Sequence, residues 1–98
     1  MLDVSNTAVS TDFGRNLSTL RELHSIAMNG CRMNNCVMYL RQLPLAYLDL
    51  ADSDLDDTGL QELSAIKTLR FLDIRRTNVT SMASKAFQEA RPDVFLTL

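Results

Sequence analysis

The sequence repeats a pattern of apolar and polar residues at intervals of 24 positions, and this period restricts the fold more than any other feature. Leu48 and Leu50 recur as Leu72 and Ile74, each displaced by 24 residues. A fixed period of about 20 to 50 residues is typical of proteins built from stacked structural units. Because each unit buries its apolar residues only against its neighbours, the period predicts one continuous interior.

Each copy of the pattern has two parts that differ in the spacing of their apolar residues. Alternating apolar residues, such as Leu72 and Ile74, predict a strand. Apolar residues three or four positions apart then predict a short helix, which in the fourth copy should end before Pro92. The predicted inward side of that last helix consists of Ala83, Ala86, Phe87 and Ala90.

The copies divide the whole chain into consecutive segments of one domain. The predicted repeats cover about residues 1–22, 23–44, 45–68 and 69–92, followed by a terminal strand at 93–98. The second copy is two residues shorter than its neighbours. We expect the shortening to fall in the helical segment, around Asn34–Pro44, where it would leave strand pairing intact.

The clearest copy, Leu45–Leu63, reads LAYLDLADSDLDDTGLQEL and closely resembles the cysteine-containing class of the leucine-rich repeat family. The resemblance covers essentially the whole chain, although Ser84 stands where the pattern has Leu60 and Asp93 stands where it has Leu69. It implies an α/β solenoid with a parallel β-sheet on the concave side and short helices on the convex side. Members of the class include ubiquitin-ligase substrate receptors, assembly factors and surface receptors, so the resemblance indicates architecture more strongly than function.

A small side chain recurs where each copy leaves its strand. We expect it to hydrogen-bond to the backbone of the neighbouring turn. These positions are Thr7, Cys31, Ser53 and Thr77. Cys31 is therefore expected to be a buried structural residue, and with Cys36 and His24 it need not converge on a metal or nucleophile site.

Composition excludes several classes of function. Apolar residues make up 46% of the chain and charged residues 22%, which is typical of a globular protein. A net charge of −2 offers no broad cationic surface for nucleic acid. No apolar run approaches the roughly 20 residues of a membrane span, and no signal peptide is visible. With only two cysteines, the sequence favours an intracellular protein.

Alternate residues of the predicted strands point away from the helices and line an open, concave face of the sheet, called the open face below. It carries aromatic residues on three consecutive strands, next to aspartates and an arginine. Aromatic and arginine side chains commonly anchor protein interfaces, although the rings could simply stabilise the sheet by cross-strand packing. The predicted partner-binding residues are Tyr47, Asp49, Phe71, Asp73, Arg75 and Phe95.

The acidic stretch Asp52–Asp57 invites comparison with a calcium-binding loop. It has Asp57 at the sixth position, where such a loop needs glycine, and Leu63 at the twelfth, where it needs a bidentate glutamate. We interpret the stretch as a solvated turn in which Asp56 or Asp57 caps the following helix. No metal and no cofactor are predicted.

These observations favour a non-catalytic module that binds a protein partner through the open face. Two alternatives remain: a structural subunit or fragment of a larger assembly held through exposed end strands, and the substrate-recognition part of a ubiquitin-ligase-type receptor. Both termini fall inside the pattern, at Leu2–Val4 and Leu96–Leu98. We therefore expect the chain to belong to a larger complex or to a longer repeat protein.

Overall fold

The computed structural model describes residues 2–3, 22–31 and 37–98. Strands and helices alternate along the chain, so the protein is α/β, as the sequence predicts. The elements are β1 (Leu2–Asp3), β2 (Ser25–Ala27), α1 (Val37–Leu40), β3 (Tyr47–Asp49), α2 (Asp57–Leu63), β4 (Phe71–Asp73), α3 (Ser81–Ala90) and β5 (Phe95–Thr97).

The described strands form one parallel sheet in the order β1-β2-β3-β4-β5, which is also their order in the sequence. Leu48 is the register partner of Leu72, and Leu72 is the partner of Leu96, so the predicted pairing of residues 24 positions apart is confirmed. Hydrogen bonding continues one residue past the strands, since the Leu50 amide donates to the carbonyl oxygen of Asp73 at 2.8 Å. Strand pairing on both sides of β2 is intact despite the shorter second copy.

The interior lies between the sheet and the helices. The inward strand residues Ile26, Leu48 and Leu72 are buried in the same cluster as helix residues such as Leu60 and Phe87. Leu23, Val79, Ala83 and Leu96 are partly buried and pack against this cluster. Complete burial of a leucine side chain contributes roughly 2 kcal/mol to the free energy of folding, so these inward residues are a main source of stability.

Side-chain oxygens fix the starts of α2 and α3. Asp56 caps α2 by accepting a hydrogen bond from the Gly59 amide at 2.9 Å, so the predicted cap is confirmed. Thr80 caps α3 in the same way, accepting from the Ala83 amide. The Asp57 carboxylate also accepts hydrogen bonds from the amide and hydroxyl of Thr80, at 2.7 and 2.9 Å. The start of α2 is therefore tied directly to the start of α3.

Two expectations about the interior are wrong in detail. Ala86 and Ala90 are exposed, because the inward stripe of α3 runs through Ser84 and Phe87 and a helix turns about 100° per residue. The small polar residues at the strand exits bond within their own turns. The Ser53 hydroxyl accepts from the Leu55 amide at 3.4 Å, and the Thr77 hydroxyl donates to the Ile74 carbonyl at 2.8 Å.

Some predicted features fall outside the described residues. They are residues 4–21 of the first predicted repeat, which include the small strand-exit residue Thr7, and Cys36.

Candidate functional site

Three aromatic side chains form a row across the open face. Tyr47, Phe71 and Phe95 are register partners on β3, β4 and β5. Their ring centroids are 6.4 Å apart between Tyr47 and Phe71 and 6.1 Å apart between Phe71 and Phe95, with tilted planes. This geometry is typical of favourable aromatic pairs, so the rings do stabilise the sheet by packing on one another.

The same row leaves a large apolar surface in water. Tyr47 is half-buried, whereas 51% of Phe71 and 66% of Phe95 is exposed. Cross-strand packing alone therefore does not cover these rings. Exposed apolar side chains that contact one another make this row a candidate surface for binding another molecule.

A second row on the open face carries carboxylates. Asp49 and Asp73 are register partners, one strand apart. Each is held by the turn that follows its strand, because an oxygen of Asp49 accepts from the Ala51 amide and an oxygen of Asp73 accepts from the Arg75 amide, both at 3.1 Å. The turns therefore fix the positions of two like charges beside the aromatic row.

Arg75 neutralises one of these carboxylates. Its guanidinium donates to both oxygens of Asp73, at distances of 2.9 to 3.1 Å. This hydrogen bonding raises the pKa of Arg75 above its ordinary value. Asp49 forms no ion pair with any residue in the described ranges. The two adjacent carboxylates and one guanidinium leave one net negative charge at this point of the open face.

The turns beyond β2, β3 and β4 share an unusual backbone conformation. Gly30, Asp52 and Arg76 have φ values of 72°, 61° and 56°, in the left-handed region. The last two also form an ion pair between neighbouring turns, with Arg76 Nη2 2.8 Å from an oxygen of Asp52. The hydrogen bonds from Arg76 lower the pKa of Asp52. This pair is not among the predictions from the sequence, although opposite charges 24 residues apart are a visible signal of it.

The structure brings together most of the predicted binding residues. Tyr47, Asp49, Phe71, Asp73 and Phe95 all lie on the open face. Arg75 lies just beyond β4 and reaches this face through Asp73.

The acidic turn after β3 directs its carboxylates to different partners. Asp52 pairs with Arg76, Asp56 caps α2, and Asp57 holds Thr80. Within the described ranges, no three histidine, cysteine, aspartate or glutamate side chains are grouped as metal ligands. His24 contacts the Pro44 carbonyl at 3.0 Å, and Cys31 is buried. The structure thus assigns these residues hydrogen-bonding and packing roles.

The sequence matches no model of a known protein family and no curated protein. In the described part of the chain, every helix is too short or too polar to cross a lipid bilayer.

Proposed function

We propose that this chain is a leucine-rich repeat module of the cysteine-containing class, in which the sheet is the concave side and the helices are the convex side. The proposal is supported by the parallel register at 24-residue intervals and by the shared interior between strands and helices. It is also supported by left-handed turns at equivalent positions after three consecutive strands. These features are those expected when one structural unit is stacked on its neighbours.

The function we propose is non-catalytic binding of a protein partner through the open face. The observation that carries it is the aromatic row, in which Phe71 and Phe95 keep more than half of their surface in water while in contact with each other. Aromatic side chains lose little conformational entropy on binding and bury large areas, which makes them effective anchors. Arg75 and the two aspartates would provide polar contacts at the rim of such an interface.

Affinity capture with a matched control tests this function. We expect the wild-type chain to retain a specific protein that the double variant Tyr47→Ala with Phe71→Ala does not retain. The control is Met82→Ala, which removes a side chain that is 83% exposed on α3, away from the open face. Circular dichroism would test whether both variants are folded. Equal capture by the folded double variant and the wild type would contradict the proposal.

A second candidate is a structural subunit held in an assembly through its end strand. The observation that favours it is the exposure of Phe95 on β5, the outermost strand of the described sheet, and of Leu98 directly after it. Unpaired strand edges readily accept a strand from another chain. Cross-links that map the partner to residues 93–98, with none to Tyr47 or Phe71, would favour this function over binding by the open face.

A further inference from the structure

Asp49 differs from Asp52, Asp56 and Asp57 in what its side chain contacts. Between Arg41 and Lys67 the sequence has five aspartates, one glutamate and no basic residue. Asp52 is paired with Arg76, while Asp56 and Asp57 hold helix starts. Asp49 instead lies on the open face, within the surface proposed to bind a partner.

The electrostatic surroundings of Asp49 favour an added positive charge. Its neighbour across the strands is Asp73, and like charges at paired positions destabilise a sheet. Arg75 balances Asp73 through hydrogen bonds to both carboxylate oxygens and attracts Asp49 only more weakly, without an ion pair. Asp49 has one hydrogen bond, from the Ala51 amide, and no ion pair within the described ranges. A cation supplied from outside would relieve this repulsion.

The aromatic row places apolar surface beside that carboxylate. Tyr47 lies two residues before Asp49 on the same face of β3, and Phe71 pairs with Tyr47 at a ring-centroid distance of 6.4 Å. The methylene groups and the charge of a basic side chain that reaches Asp49 would lie against these rings. Arginine and lysine are attracted to aromatic faces and pack their aliphatic stems on apolar surfaces.

We infer that the open face recognises a protein segment that carries an arginine or lysine next to apolar side chains, with Asp49 accepting the basic group and the rings of Phe71 and Phe95 receiving the apolar groups. This inference rests on the proposed function, and it adds the chemistry of the partner. Charge complementarity at Asp49 and the exposed apolar row beside it together favour such a segment. Arg75 stays engaged with Asp73 and helps to restrict the basic group to Asp49.

Selection of short random peptides displayed on phage, with the whole chain immobilised, provides a probe of this chemistry. We expect the selected peptides to be enriched in arginine or lysine adjacent to leucine, isoleucine or aromatic residues. The dissociation constant of one synthetic selected peptide is then measured by fluorescence anisotropy for wild type and variants. A peptide that binds through the proposed contacts should also bind more weakly as the salt concentration rises.

Two charge-removing variants give a matched comparison. Asp49→Asn keeps an oxygen that can accept from the Ala51 amide, so the turn is preserved while the charge is removed. We expect it to weaken peptide binding about tenfold, which is the effect of losing one charge-assisted hydrogen bond. Glu89→Gln removes one negative charge from an exposed position on α3 and should leave binding unchanged. Replacing the basic residue of the peptide by glutamine should weaken binding to wild type but not further weaken binding to Asp49→Asn.

The possible failures separate this inference from the proposed function. The inference would be overturned if the selected peptides lack a basic residue, bind Phe71→Ala more weakly than wild type and bind Asp49→Asn as tightly as wild type. The open face would then still be the binding surface. Equal weakening by Asp49→Asn and Glu89→Gln would also overturn it, because the effect would then follow total charge alone. If every selected peptide binds Phe71→Ala as tightly as wild type, both the inference and the proposed function are wrong.

Discussion

The two faces of one sheet carry the same 24-residue period but lie in different surroundings. Ile26, Leu48 and Leu72 are buried against the helices, whereas Tyr47 and Phe71 from the same strands face outward. Burial restricts the inward positions to aliphatic side chains that fill a closed space. The outward positions are under no such restriction, and the aromatic row there packs across the strands while keeping much of its surface in water. The comparison separates residues that are buried in the interior from residues that are accessible on the open face.

The largest expected effect comes from adjacent residues on opposite faces of β4. Leu72→Ala should lower the free energy of unfolding by about 3 kcal/mol, because it removes a completely buried side chain and leaves a cavity. Phe71→Ala should cost no more than about 1 kcal/mol, the value of its cross-strand contacts. Urea denaturation of both variants measures the difference. Equal losses would show that the open face is as important for folding as the interior.

Two arginines with different surroundings provide the next comparison. Arg91 is largely buried and donates to the carbonyl oxygens of Ser64 and Ile66 at 2.8 and 2.9 Å, and to Asp93. Arg91→Met should lower the free energy of unfolding by about 2 to 3 kcal/mol, because it leaves these carbonyl oxygens without their hydrogen-bond donor. Arg75→Met should lower the free energy of unfolding by less, because Arg75 itself is half exposed and Asp73, which is only 15% exposed, keeps its hydrogen bond from the amide of residue 75. A larger loss for Arg75→Met would assign it a structural role.

Two substitutions at the left-handed turns should have smaller effects on stability that differ from each other. Gly30→Ala should lower the free energy of unfolding by about 1 kcal/mol, because a side chain is disfavoured at a positive φ of 72°. Asp52→Gly removes that steric cost at the equivalent turn but also removes the ion pair with Arg76, so its melting temperature should stay close to that of wild type. A melting temperature raised by Gly30→Ala would contradict this description of the turns.

The smallest effect is a dependence of stability on pH at the surface ion pairs. Hydrogen bonds from Arg91 lower the pKa of Asp93, and those from Arg76 lower the pKa of Asp52. A carboxylate whose pKa is lowered by folding stabilises the protein above its unfolded pKa, near 3.9, and this contribution is lost as the pH falls through the folded pKa. The melting temperatures of wild type and Asp93→Asn should therefore differ at pH 6 and converge at lower pH. A difference that persists at low pH would exclude this origin.

Sequence reasoning predicted the features that depend on period alone. The pairing of Leu48 with Leu72 follows from spacing, and the cap at Asp56 follows from residue type before a helical pattern. The exposure of Ala86 could not be predicted as securely, because a stripe of alanines marks the inward side of a helix only weakly. The contacts of Arg91 with carbonyl oxygens depend on the path of a loop more than 20 residues away, and no local pattern encodes that path.

At the candidate site, too, the positions of the residues could be predicted from the sequence, but the contacts of their side chains could not. The six predicted binding residues follow from alternation along the strands, and five of them lie together on the open face. The difference between Asp49 and Asp73 was not predictable, because it depends on which carboxylate the flexible Arg75 side chain reaches. Exposure also increases from Tyr47 to Phe95, and this gradient depends on three-dimensional neighbours rather than on spacing.

The affinity of one selected peptide for Phe71→Ala and Ile74→Val tests the separation of the two faces most directly. Ile74→Val shortens a buried side chain and should cost about 1 kcal/mol of stability, with unchanged peptide affinity. Phe71→Ala should lose peptide binding while remaining folded. Equal affinities for the two folded variants, or weaker binding by Ile74→Val than by Phe71→Ala, would contradict the division between a stabilising interior and a recognising surface.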